Sequence, residues 1–163
     1  MKVSKGKIIS LLGPTGIGKS SLAIKLKDKY PIEIISVDSM MIYRDMNIGT
    51  DKPSEKILSS IKHHLVNIRN PNESYNVGQF YSDIRIIIKY IHSNNKIPLL
   101  VGGSMMYFNS LFNGLSLLPE KNIVERKFID NLLKKYSCNE LHFCLKNIDP
   151  SSITNCDSFN KNG

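Results

Sequence analysis

One run of consecutive residues, Gly13-Pro14-Thr15-Gly16-Ile17-Gly18-Lys19-Ser20, has the types and spacing that hold a phosphate chain. The glycines of this G-x-x-x-x-G-K-S pattern let successive backbone N–H groups wrap an anion at a helix N-terminus, where the helix dipole already favours negative charge. Lys19 supplies a point charge, and Ser20 a hydroxyl for Mg²⁺. The pattern has chance matches, so its context must agree: an apolar β run before it and a helical run after it. Lys7 to Leu12 (KIISLL) and Ser20 to Lys29 meet both conditions. The competing reading is a glycine-rich turn with a coincidental lysine.

Asp38 is the next residue that could do chemistry, because it sits where the apolar run Ile32 to Val37 (IEIISV) stops. In open α/β sheets ligands bind at the carboxyl ends of strands, so this carboxylate is placed to face the glycine-rich loop. It can act there as a general base or hold a metal-bound water. A turn residue capping the next segment is the alternative. The long segment that follows, to Pro53, favours function over a mere turn. Gly102-Gly103-Ser104 offers a close backbone approach to a ligand and a hydroxyl able to donate to a phosphate oxygen. His63-His64 has no third ligand at a metal-site spacing, so no metal is assigned to it.

These residues need a scaffold, and the pattern around them supplies one. Short apolar runs alternate with helical periods through residue 115 or so, which is how a mostly parallel sheet flanked by helices is written. Strands are expected at Lys7–Leu12, Ile32–Val37, His64–Ile68 and Pro98–Val101. The clearest helix spans Asn76 to Asn94: Val77, Phe80, Tyr81, Ile84, Ile87, Ile88 and Ile91 recur at steps of three and four. Asn76 with Gln79 has the form of a capping box at its start. Another helix is expected over Met105–Phe112, and two amphipathic, basic ones over Val124–Tyr136 and Glu140–Asn147. The division expected is an α/β core to residue 118, the start of a helical insertion over 119–150, and a polar, aperiodic tail over 151–163.

Composition bounds the partners. Lys+Arg 22 against Asp+Glu 14 leaves a formal charge of +8, which favours polyanions, nucleic acid first. A solvated lysine-rich surface explains the same number, and the abundance of Ile, Lys and Asn points to codon bias. Cys138, Cys144 and Cys156 form no CxxC pair and read as reduced thiols. No apolar run reaches bilayer length, and the apolar part of the N-terminus is too short for a signal peptide. A cytoplasmic monomer, without a membrane partner, is the expectation.

Taken together, four blocks resemble the tRNA dimethylallyltransferase (isopentenylpyrophosphate transferase) family. They are GPTGIGKS, ISVDSMMIYRDMNIGTDKP, HHLVNIRNPNESYNVGQF and IPLLVGGSMMYFNSLFNGLSLLP, in the family's order, within a resemblance covering about residues 7 to 150. The resemblance implies a P-loop NTPase-like fold. It also implies transfer of a dimethylallyl group from dimethylallyl diphosphate to N6 of the adenosine beside the anticodon in tRNA, with Mg²⁺ as cofactor. In that family the loop holds the diphosphate leaving group and does not hydrolyse a nucleotide. Carried over residue by residue, Asp38 matches the general base, and Thr15 to Ser20 match the diphosphate-binding stretch, with Lys19 on the diphosphate and Ser20 toward Mg²⁺. Asp38, Ser39, Met40 and Met41 match a stretch that touches tRNA. Ser104 stands where most relatives have a threonine and keeps its hydroxyl, which the resemblance makes a catalytic and tRNA-contacting position, and Arg126 matches another tRNA-contacting position.

Relatives run to about twice this length, and beyond Asp149-Pro150 the tail departs from their pattern, so a C-terminally truncated member is expected. Three other readings stay open. A P-loop small-molecule kinase would need cations around the γ-phosphate, and Arg44, Arg69, Arg85 and Arg126 form no lid-like cluster in sequence. A cytokinin-type prenyltransferase acting on adenylates is closer in chemistry, but IGTDKP and DSMMIY look more like the tRNA-modifying branch. The third is a remnant that binds diphosphate or RNA without turnover.

Overall fold

The structure is a computed structural model that describes residues 6–115 and 122–153. The chain divides into two compact units, Met1–Ser116 and Leu117–Gly163. In the first unit the elements run β1 (Ile9–Leu12), α1 (Lys19–Lys29), β2 (Ile32–Val37), α2 (Glu55–Ser60), β3 (His63–His64), α3 (Val77–Ser93), β4 (Ile97–Gly102) and α4 (Met105–Asn113). Among the described residues the strands form one parallel sheet in the order β1-β4-β2-β3, with helices on both faces. This is the expected α/β class, and the parallel strand, glycine-rich loop and helix follow the P-loop NTPase-like plan.

Strand alternation decides which side chain meets which helix. Ile32 and Ile34 of β2, with Leu99 and Val101 of β4, pack against Ala23 of α1. Ile35 and Val37, with Leu100, face the other way, onto Phe80, Ile84 and Ile91 of α3 and Tyr107 and Phe108 of α4. Every residue of β2 is buried, as a central strand of a parallel sheet should be. Each of these fully buried large side chains contributes about 1.5–3 kcal/mol by leaving water. The capping box of α3 is formed: Gln79 N–H donates to Asn76 Oδ1, and Asn76 N–H to Gln79 Oε1, both at 3.0 Å.

Two expectations need correction. The third strand does not run from His64 to Ile68; it is His63–His64, because Leu65 (φ 61°) and Asn67 (φ 56°) turn the backbone into the left-handed region, where a strand cannot continue. Residues 67–69 bond instead to the segment after β2, with Ile68 N–H donating to Ile42 O at 2.9 Å. The six-residue helix α2 was not expected at all. The second unit holds α5 (Ile123–Lys135), α6 (Cys138–Ile148) and the short α7 (Pro150–Ile153). Asn122 caps α5, and Ser137 with Glu140 forms a capping box on α6. Most of the tail read as polar and aperiodic, residues 154–163, lies outside the described residues, as do residues 119–121 at the start of the expected insertion; α7 occupies the tail's first positions.

Candidate active-site cleft

The carboxyl ends of β1, β2 and β4 converge on one cleft. Its rim includes Thr15, Lys19 and Ser20 from the glycine-rich loop and the start of α1, with Gly102 and Gly103 after β4. Gly16 (φ 82°) and Gly18 (φ 90°) bend the loop in conformations that disfavour any side chain, and Gly18 leads directly into α1. Lys19 Nζ donates to Pro14 O at 2.6 Å, which draws the ammonium over the loop. Pro14 and Ile17 form the exposed outer edge of that loop.

Asp38 enters the cleft because of its parity on β2. Ile34, Ser36 and Asp38 all point to the α1 side, and all three line the cleft. Asp38 Oδ1 accepts N–H bonds from Met40 (2.8 Å) and Met41 (3.3 Å). So Asp38 caps the turn through Oδ1 and also lines the cleft, and no hydrogen bond to Oδ2 occurs among the described residues. The neighbouring backbone is tied across to β4. Ser39 N–H donates to Ser104 Oγ at 3.1 Å, and Ser104 N–H donates to Val37 O at 3.3 Å. Ser104 is thus spent on holding the Asp38 turn, with its O–H proton still free to be donated. Gly102 pairs with Val37 in register, and a Cβ there would collide with the Val37 carbonyl. At Gly103 a Cβ would stand 3.2 Å from Gly13 O, so this glycine lets β4 pass the loop.

Apolar side chains line much of the cleft, Ala23, Ile34, Met41, Pro53, Val66 and Val101, with buried Ser36 among them. Asp51 and His63, neither given a role in the sequence reading, also line it. Asp51 lies in the IGTDKP block; His63 could have been found from parity, since it pairs with Ile34 on the α1 side. Its Nδ1 lies 2.8 Å from Ile61 O, and a carbonyl only accepts, so Nδ1 carries the proton. Burial holds the His63 pKa below the usual histidine value, against the opposing pull of that carbonyl. Tyr107 under the turn is pushed up, by burial first and then by Tyr43 and Asp38 nearby. Met40 is exposed and Arg126 lies on the exposed first turn of α5, in the other unit. Among the described residues no three His, Cys, Asp or Glu side chains cluster as metal ligands, and no helix is long and apolar enough to cross a membrane.

The chain is similar to known proteins over most of its length. The chain is 55% identical over 152 residues to a tRNA dimethylallyltransferase of Buchnera aphidicola subsp. Baizongia pistaciae, a match covering 93% of this chain and 47% of the relative. It is 44% identical over 149 residues to one from a Psychrobacter species, covering 91% of this chain and 41% of that one. Among solved structures, the full-length tRNA isopentenylpyrophosphate transferase of Bacillus halodurans superposes with a TM-score of 0.66 at 32% identity, over 93% of this chain and 50% of that one. A eukaryotic dimethylallyltransferase acting on tRNA gives 0.76 at 31%, over 93% of this chain and 38% of that one. The chain therefore spans about half the length, or less, of the relatives it matches. The family model described as IPP transferase matches residues 41–162, and the chain belongs to that family.

Proposed function

We propose that this chain carries the donor-binding and proton-accepting part of an enzyme that moves a dimethylallyl group from dimethylallyl diphosphate to N6 of an adenosine in tRNA. The observation that carries the reading is the two-part cleft. Thr15, Lys19 and Ser20 at one side of it suit a diphosphate, and the apolar side chains of Ala23, Ile34, Met41, Val66 and Val101 suit a short branched hydrocarbon. The relatives' names and the family agree with it.

In the reaction the N6 lone pair forms a bond to the allylic carbon as the carbon–oxygen bond to diphosphate breaks. The bond electrons leave with the diphosphate oxygen, where charge grows. Loop amides and the Lys19 ammonium aimed at that oxygen stabilise the transition state, commonly the largest catalytic contribution. The N6 proton becomes acidic only as the new bond forms, and Asp38 Oδ2, free of other partners, takes it. The oxygens left at hand, the Ser20 hydroxyl and the Asp51 carboxylate, fit Mg²⁺, which is usually held by a few protein oxygens plus phosphate. When bound, that ion would neutralise diphosphate charge.

The test uses labelled dimethylallyl diphosphate, Mg²⁺ and an adenosine-containing anticodon stem-loop, with label counted in RNA. Transfer is expected, and Asp38→Asn should lower it by about 10²–10⁴-fold while the donor still binds. Undiminished transfer in Asp38→Asn would remove the base assignment. Donor binding without any transfer would reduce the chain to a binding protein.

A further inference from the structure

Residues 38–54 connect β2 to α2 without regular structure, yet they deliver Asp38, Met41, Asp51 and Pro53 to the cleft. So long a connection has to find its hydrogen bonds outside a ladder. Some are backbone bonds to the segment after β3: Arg44 N–H to Arg69 O at 2.7 Å, and Asn67 N–H to Met41 O at 3.1 Å. Three more, whose acceptors are a backbone carbonyl and two side-chain oxygens, converge on one ammonium. Lys52 Nζ donates to Tyr43 O at 2.6 Å, to Asn67 Oδ1 at 2.8 Å and to Asn47 Oδ1 at 3.1 Å. Three N–H bonds thus meet three acceptors, drawn from both the loop and the segment beyond α2.

The surrounding backbone shows what that convergence holds. Asp45 (φ 62°), Asp51 (φ 53°) and Asn67 (φ 56°) are left-handed, although none is glycine. Such conformations persist where their surroundings over-determine them. Lys52 follows Asp51 in the chain, bonds the Asn67 side chain and feels the Asp45 charge. It is not among the residues lining the cleft.

We propose that Lys52 is a positioning residue: its ammonium locks the loop after β2 onto the segment after β3, and so fixes Met41 and Asp51 at the cleft without touching the donor. Arginine could not replace it, because a planar guanidinium spreads its donors over separate nitrogens, whereas these acceptors surround one. The consequence for turnover rests on the prenyl-transfer reading; the consequence for loop order does not.

Amide exchange read residue by residue by NMR on the intact chain tests this. In Lys52→Met the amides of Arg44, Asn67, Ile68 and Arg69 should exchange at least about tenfold faster, with α1 and α3 unchanged. In Lys52→Ala, added propylammonium should restore their protection, whereas tetramethylammonium, equally charged but without N–H, should not. Unchanged exchange at those amides, equal acceleration in α1 and α3, or rescue by tetramethylammonium would overturn the proposal. Should Lys52→Met fail to fold, Asn47→Ala must speed the same amides to a lesser degree, and no change there counts against it. Dimethylallyl diphosphate binding, measured on the same samples, keeps the two readings apart. Its absence in the unaltered chain would sink the prenyl-transfer reading alone.

Discussion

Asp38 faces the glycine-rich loop because one backbone atom of a neighbouring strand is allowed to come close. Gly102 and Val37 are register partners, and only the missing side chain at Gly102 lets the Val37 carbonyl lie where it does. The turn that follows is then secured by Ser39 N–H on Ser104 Oγ and by two amides on Asp38 Oδ1. Gly102→Ala must push β2 and β4 apart at the point where the site begins. Overpacking of this kind costs about 1–3 kcal/mol. A lowered thermal midpoint is expected, with Asp38-dependent transfer lost more completely than donor binding. A variant with unchanged stability would show that the strand ends have room to spare. The paired glycines read in the sequence as a close approach to a ligand; in the structure what a Cβ would meet is protein backbone, Val37 at Gly102 and Gly13 at Gly103, although both glycines also line the cleft.

At the scale of elements, the sequence was most legible where periodicity alone decides. The stripe of α3, its Asn76–Gln79 box and the apolar run of β2 appear as read. It was least legible where polar contacts override pattern. The run His64–Ile68 has strand composition, yet left-handed turns at Leu65 and Asn67 divert it toward the loop after β2. Helix α2 is too short to show a period. Glu33 is another such case, a carboxylate inside an apolar strand, only 6% exposed. It accepts from Lys96 Nζ at 2.8 Å and lies 2.7 Å from His64 Nε2. Burial pushes its pKa up, but the hydrogen bonds from Lys96 and His64, with their charges, hold it below the ordinary value of 4.5. A depressed carboxylate stabilises the fold fully above its unfolded pKa and loses that contribution as pH falls through the folded one. The urea midpoint should therefore drop as pH is lowered below that ordinary value. In Lys96→Met the drop should shrink or reverse, because burial then acts with less opposition. An identical pH profile in the variant would show that Glu33 does not set it.

Across the whole molecule, the α/β unit brings Thr15, Lys19, Ser20, Asp38, Met41, Gly102 and Gly103 into the lining of one cleft, whereas Ser39, Met40 and Ser104 are not part of that lining. Arg126 belongs to the other unit. The formal charge of +8 suits an RNA partner, though charge alone does not choose one polyanion over another. On the proposed reading, a prenyl donor is told from any other diphosphate by the apolar part of the cleft, which no motif announced; it is assembled from residues of α1, β2, β4 and the two loops that Lys52 joins. Calorimetric titration of the chain with dimethylallyl diphosphate, inorganic diphosphate and ATP, each with Mg²⁺, tests that claim most directly. The hydrocarbon should tighten binding by roughly tenfold or more over inorganic diphosphate, about the value of burying a few methyl groups. ATP should bind no better than diphosphate, and Lys19→Ala should weaken both diphosphates together. Equal affinity for the two diphosphates, or a preference for ATP, would contradict the account.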